Sequence, residues 1–220
     1  MGKVSIITAK QRLVLKGLGK SGYFRDNFYF TGGTALSHYY LQHRYSDDLD
    51  FFSLEKFENE VIFALMSDLS RKLKFKFDSK FNEVVYIFNL KFPDGETLKI
   101  DFGYYPYKLI EDGGKNEMNI KVDSLRDIAT NKLLTASQRN DVKDFVDLYF
   151  LMQEKYTIWD LIYGVEAKFR LEQDTVLLGE YLLKVEDFEF LPRMVKPLKL
   201  SVLKNFFRKQ AKKLGAEMLK

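Results

Sequence analysis

At 220 residues, 46% hydrophobic and 15% aromatic with only four prolines, the chain can bury a real core in one or two domains and reads as folded. It has no cysteine, which excludes disulfides, thiolate metal sites and cysteine nucleophiles, and its two histidines, His38 and His43, are too few for a histidine-rich metal centre. Net charge is +4 but uneven: residues 192–220 carry nine Lys or Arg against the single Glu217, so the body is acidic and the basic end suits a polyanionic partner, a solubilising helix face being the plainer alternative.

The N-terminal stretch lacks an unbroken apolar run, and nothing approaches the ~18 uncharged apolar residues of a spanning helix. These features predict no signal peptide, no membrane association and a cytoplasmic location. Residues 4–20 predict a helix, and "NFYF" (27–30) a short strand running into "TGG". In "TALSHYYLQHR" (34–44) Leu36, Tyr39, Tyr40 and His43 recur at helical spacing, with Thr34 placed as N-cap. "DDLDFFSL" (47–54) alternates as a strand does, and "EVIFALMSDLSRKL" (60–73) is an amphipathic helix. Three further strands follow at 74–79, 83–92 and 97–105, the last two joined by the "PDG" turn at 93–95. "EDGGKNE" (111–117) breaks the pattern, and beyond it residues 124–138, 141–155 and 201–214 predict helices. The expected fold is α+β: a small mixed β-sheet core with flanking helices over 1–115, then a mostly helical module over 116–220.

The acids of 47–50 carry chemistry. In a strand, residues i and i+2 share a face, so Asp48 and Asp50 present two carboxylates on one side while Leu49 and Phe51 enter the core. Such a pair repels itself and favours a hard cation, Mg²⁺, Mn²⁺ or Ca²⁺. Asp101, between Ile100 and Phe102, repeats the pattern and would complete a two-metal site; an acid on the solvent face of an edge strand is the alternative. Gly32 and Gly33 at a strand end, with Thr34 opening a helix, form a phosphate cradle or, more plainly, a tight turn. Walker and dinucleotide-binding glycine patterns are absent.

"GGTALSHYYLQHRYSDDLDFF" resembles the nucleotidyltransferase superfamily of polymerase-β-like fold, whose hallmark is Gly-Gly or Gly-Ser, a short helix, then Asp-x-Asp. More narrowly, it and "LRDIATNKLLTASQRNDVKDFVDLYFL" (125–151) are similar to the AbiEii/AbiGii toxin branch. The resemblance implies roles for individual residues. Asp48 and Asp50 would hold Mg²⁺ or Mn²⁺, with Asp101 as a third carboxylate that helps deprotonate the attacking hydroxyl. Gly32, Gly33 and Thr34 would take the NTP triphosphate, with Arg44 and Ser46 shaping the loop before Asp48. Lys132 would neutralise phosphate charge, and Asp144 would be essential to the second half of the site. From residue pattern alone, Val142, Phe145, Tyr149 and Met152 form the buried stripe of their helix. Asp144 and Asp147 then fall on the solvated flank, and Lys143 is spaced to pair with Asp147.

The resemblance implies NMP transfer to a hydroxyl, with an RNA (tRNA) 3′ end as acceptor, in a toxin–antitoxin setting with a cognate antitoxin protein. The basic helix agrees. Val202, Leu203, Phe206 and Phe207 make an apolar stripe that leaves Lys204, Arg208, Lys212 and Lys213 to follow a phosphate backbone. A protein or small-molecule acceptor, and a non-catalytic RNA-binding or interaction module on the same scaffold, are the competing readings.

Overall fold

The computed structural model describes residues 6–115 and 118–217. Residues 4 and 5 of the expected first helix and residues 116 and 117 of the expected boundary lie outside the described residues. The chain forms two compact units, the first being Met1–Tyr40, Ser46–Lys108 and Asp112–Ser124, the second Leu41–Tyr45, Leu109–Glu111 and Leu125–Lys220. The division thus falls at Ser124, beyond residue 115, because a strand at Lys121–Val122 pairs with Tyr29–Phe30 and belongs to the first unit's sheet.

In the first unit α1 (Ala9–Leu18) starts at a capping box: Thr8 Oγ1 accepts from Gln11 N at 3.1 Å, and Gln11 Oε1 accepts from Thr8 N at 2.8 Å. After α2 (Gly22–Asn27) come β1 (Tyr29–Thr31), α3 (Gly32–Ala35), a π-helical turn (Leu36–Leu41), β2 (Leu49–Ser53) and α4 (Asn59–Leu73). Then follow β3 (Lys76–Asn82), β4 (Val85–Lys91), β5 (Thr97–Tyr104), β6 (Gly114–Lys115) and β7 (Lys121–Val122). Among the described residues these strands make one sheet in the order β3-β4-β5-β2-β1-β7-β6. The β2–β5 and β1–β7 pairs are parallel and the others antiparallel. The expected "PDG" turn is present, with Gly95 at φ +87° and Phe92 N donating to Glu96 O at 2.9 Å. Alternation puts Leu49, Phe51, Ile100 and Phe102 in the core, fully buried, where the Phe51 and Phe102 rings stack at 5.5 Å. Each such phenylalanine contributes ~1.5–3 kcal/mol of burial.

The second unit holds α5 (Leu125–Gln138), α6 (Val142–Glu154), α7 (Ile158–Phe169), α8 (Thr175–Leu183), a short 3-10 turn (Lys184–Asp187) and α9 (Leu200–Glu217). Asp141, Thr157 and Asp174 cap α6, α7 and α8 with their side chains. Gly164 lets α7 approach Thr130 of α5, since a methyl there would overlap the threonine side chain. The segment 193–196 binds the segment 43–45 through its backbone: Tyr45 N donates to Arg193 O at 2.9 Å, and Val195 N to His43 O at 2.9 Å. The architecture is α+β, as expected from the sequence.

Candidate active site

The first acidic cluster is built by two parallel strands. Asp50 of β2 and Asp101 of β5 are direct partners in the β2–β5 register, and Asp48 lies one residue before β2. Asp48 therefore belongs to the loop and not to the expected strand. Two residues before Asp101, on the same strand face, Lys99 places its ammonium 2.5 Å from Asp101 Oδ2. Burial disfavours that charge, but Asp101, Asp48 and Asp50 outweigh it and raise the Lys99 pKa, so one lysine senses all three carboxylates. The other Asp101 oxygen, Oδ1, is buried and has no hydrogen-bond partner among the described residues.

The glycine turn is built around Asp50. Gly32 has φ +72°, and a Cβ there would stand 2.8 Å from Asp50 Cγ, so only glycine fits beneath that carboxylate. The left-handed step starts α3 at Gly32, with Thr31 in the cap position. Thr34, expected as the cap, is instead inside the helix and fully buried, its hydroxyl donating to the Asp48 carbonyl. Leu36 to Leu41 continue as a π turn, and Gln42 at φ +50° ends it, so His43 and Arg44 are not helical. The Ser46 and Asp47 carbonyls accept from Gln11 Nε2 at 3.0 and 2.9 Å. The approach to Asp48 is thus braced by Thr34 and by Gln11, which is 1% exposed.

The second cluster is buried within the other unit. Lys132 of α5 lies 2.8 Å from Asp144 Oδ1 and 2.7 Å from Asp147 Oδ2, both on α6. Arg44 grips Asp147 with Nε at 2.6 Å and Nη2 at 2.8 Å, His43 Nε2 lies 2.6 Å from Asp147 Oδ1, and Arg139 Nε donates to Asp144 Oδ2 at 2.7 Å. Burial opposes the ionisation of Asp147, but the Arg44 and Lys132 charges overcome it and hold its carboxyl well below the usual range. Asp144 is lowered in the same way: burial opposes ionisation, and Lys132 and Arg139 outweigh it. Lys132 is raised, the two aspartates outweighing its burial. Burial lowers the His43 pKa, so the ring is neutral, Nε2 donates to Asp147, and Nδ1 is left buried without a partner among the described residues.

This arrangement corrects the expected geometry of α6. Asp144 and Asp147, one turn apart, are wholly buried instead of solvated, while Val142, Tyr149 and Met152 are only half-buried and Lys143 is exposed. The buried aspartates are tolerated because cations from α5, the 43–44 segment and Arg139 meet them. The basic helix differs too. Its buried stripe is Leu203, Phe207, Gln210 and Leu214, whereas Val202 is exposed. Arg208 is engaged with both Glu186 oxygens at 2.5 and 2.8 Å, and Lys204 donates to the Glu186 carbonyl at 2.8 Å. Lys212 and Lys213 are exposed.

Sequence reasoning passed over Lys99, Gln11 and the hub role of Asp147. The i, i+2 spacing in "KID" was the signal for Lys99; nothing local marks Gln11.

The donor set of the first cluster suits a hard divalent cation: carboxylate oxygens alone, one of them buried without a partner. Among the described residues no three His, Cys, Asp or Glu side chains gather closely enough to hold an ion by themselves. Nor is any described helix long and apolar enough to cross a membrane.

The family model for "Nucleotidyl transferase AbiEii toxin, Type IV TA system" matches residues 14–214. An uncharacterized protein of Aquifex aeolicus (strain VF5), aq_aa25, is 36% identical over 155 residues, 69% of each chain. Among solved structures, the nucleotidyltransferase toxin MenT4 of Mycobacterium tuberculosis H37Rv is 17% identical with a TM-score of 0.58, covering 94% of this chain and 82% of that one. JHP933 of Helicobacter pylori is 21% identical with a TM-score of 0.56, covering 94% and 89%. Both show a shared fold.

Proposed function

The chain belongs to the AbiEii nucleotidyltransferase toxin family, and from that premise we propose that it moves NMP from an NTP to the 3′-terminal hydroxyl of an RNA, specifically tRNA, in a metal-dependent reaction opposed by a cognate antitoxin. The observation that carries this reading is the pairing of Asp50 with Asp101 in the β2–β5 register, Asp48 one residue before β2, with one Asp101 oxygen buried and without a hydrogen-bond partner among the described residues.

Asp48, Asp50 and Asp101 would hold Mg²⁺ or Mn²⁺ together with substrate phosphate oxygens. When bound, the metal neutralises triphosphate charge and lowers the pKa of the attacking hydroxyl. The acceptor oxygen attacks the α-phosphorus, the bond to the bridging oxygen breaks, and pyrophosphate departs with the bonding pair. Asp101 Oδ1 takes the hydroxyl proton. Gly32 and Gly33 present bare backbone to the triphosphate, while Thr34, through the Asp48 carbonyl, fixes the loop. Lys132 contributes positive charge toward phosphate, and Asp144 orients it. Arg44 and Ser46 act by position: Arg44 through Asp147, and Ser46 through Gln11. Lys212 and Lys213 follow the RNA backbone, with Lys204 and Arg208 contributing once released from Glu186.

The test is incubation of purified protein with Mg²⁺, total tRNA and each α-phosphate-labelled NTP in turn, beside Asp48→Ala and Asp50→Ala. Label on RNA with the wild type alone is the expected result and identifies the nucleotide. Label on protein would move the acceptor to a polypeptide, and no label together with no NTP binding would sink the transferase mechanism.

A further inference from the structure

The sheet ends at β3, whose outer edge no described strand covers. Its sequence, "KFDSKFN", is self-complementary when read against itself in the opposite direction. We propose that β3 pairs antiparallel with β3 of a second copy of this chain about a two-fold axis at Ser79, joining two sheets into one.

The backbone is set for that pairing. Tyr104 N donates to Val84 O at 2.8 Å, so the even-numbered residues of β4 bond β5 and the odd-numbered ones face β3. Their β3 partners are the even-numbered residues, which leaves the N–H and C=O groups of Phe77, Ser79 and Phe81 directed outward. With the axis at Ser79 these three residues meet Phe81, Ser79 and Phe77 of the other copy, the closely hydrogen-bonded pairs of an antiparallel ladder.

The side chains select the same register. Phe77 meets Phe81 on the face that α4 covers, where Phe63 packs on Phe77 at 5.6 Å. Phe81 and Phe63 are 48% and 46% exposed in the single chain, and the second copy covers them. On the opposite face Asp78, held by Asn89 Nδ2 at 2.8 Å, meets Lys80 of the other copy, twice by symmetry. Lys80 makes no ion pair of its own among the described residues. Moving the axis to Asp78 sets Asp78 against itself and Lys76 against Lys80; moving it to Lys80 sets that lysine against itself. Like charges directly opposed destabilise an antiparallel pair, so the Ser79 register is favoured over its neighbours. A lysine on an edge strand ordinarily deters pairing; here the copy supplies its counter-charge.

Sedimentation velocity of the full chain at low salt tests this. The wild type sediments as a dimer at micromolar concentration. Asp78→Lys or Lys80→Asp alone weakens association about tenfold or more, each turning two attractive contacts into two repulsive ones. The double variant D78K/K80D recovers it, and an equimolar mixture of the single variants forms a heterodimer. Ser79→Cys, giving a chain without cysteine its only thiol, cross-links to itself on oxidation, since hydrogen-bonded antiparallel partners lie about 5.5 Å apart at Cα. A wild type that remains monomeric at ~100 μM, or a dimer indifferent to K80D and uncross-linked at S79C, overturns the proposal.

Discussion

Asp101 pairs with Lys99 through one oxygen and keeps the other buried without a hydrogen-bond partner among the described residues, whereas Asp144 and Asp147 are met by Lys132, Arg44 and Arg139 together with a neutral histidine. In the first group the open oxygen belongs to Asp101, the register partner of Asp50. In the second, both carboxylates are fully hydrogen-bonded. Buried charges of one sign are stable only when paired. The second cluster is therefore complete as a structural unit, whereas the first keeps an acceptor oxygen open at Asp101.

The contrast predicts opposite consequences for removing an aspartate. Asp147→Asn leaves Lys132 and Arg44 buried without their shared counter-charge and costs ~3–5 kcal/mol, read as a lower urea midpoint or an insoluble chain. Unchanged stability would mean the cluster is wetter than its burial indicates. Asp101→Asn is the converse case: it weakens only a partly exposed pair with Lys99, keeps stability within ~1 kcal/mol, and lowers NMP transfer about 100-fold or more. A variant that melts early but transfers normally would reverse the assignment.

These two regions were not equally readable from sequence. Period-two alternation gave Leu49, Phe51, Ile100 and Phe102 to the core, and the same alternation brought Asp50 and Asp101 to one face. That reading needed only local information. Asp147 looked solvated because its burial depends on His43 and Arg44, about a hundred residues earlier in the chain, and helical periodicity carries no trace of such partners; Asp144 is met instead by Lys132 and Arg139, on the preceding helix and just after it. Thr34 was misplaced as a cap for a local reason, the left-handed turn at Gly32, which begins the helix three residues sooner. The stripe of α9 was misjudged by one residue, since Leu203, Phe207, Gln210 and Leu214 satisfy helical spacing as well as a stripe starting at Val202 does.

Acid exposes the same contrast more gently. Asp144 and Asp147 have depressed pKa values in the fold, so they contribute stability above the unfolded carboxyl value of ~3.9 that disappears as pH falls through their folded values. His43 is lowered too: its unfolded form takes a proton below ~6.5 while the buried ring resists it, so stability starts to fall there, before the carboxylates titrate. The raised Lys132 gives the opposite limb, stability present at neutral pH and lost only in strong alkali. Urea midpoints should hold level from pH 8 to 7 and fall by pH 5. His43→Gln, which keeps a donor for Asp147 but cannot be protonated, should flatten that decline; an unaltered decline would place its origin elsewhere.

The smallest effect belongs to the exposed cations of α9, where burial plays no part. Lys212→Ala and Lys213→Ala should leave the urea midpoint unchanged and weaken tRNA binding without altering which nucleotide is transferred. Each lost phosphate contact should reduce the slope of log affinity against log salt by about 0.7–1. Arg208→Ala is the informative control, because Arg208 holds Glu186 with both of its oxygens. If its salt slope falls as far as that of Lys212→Ala, the arginine leaves Glu186 for the RNA. If the slope is unchanged, Arg208 fixes the turn beneath α9, and the backbone is followed by the lysines alone.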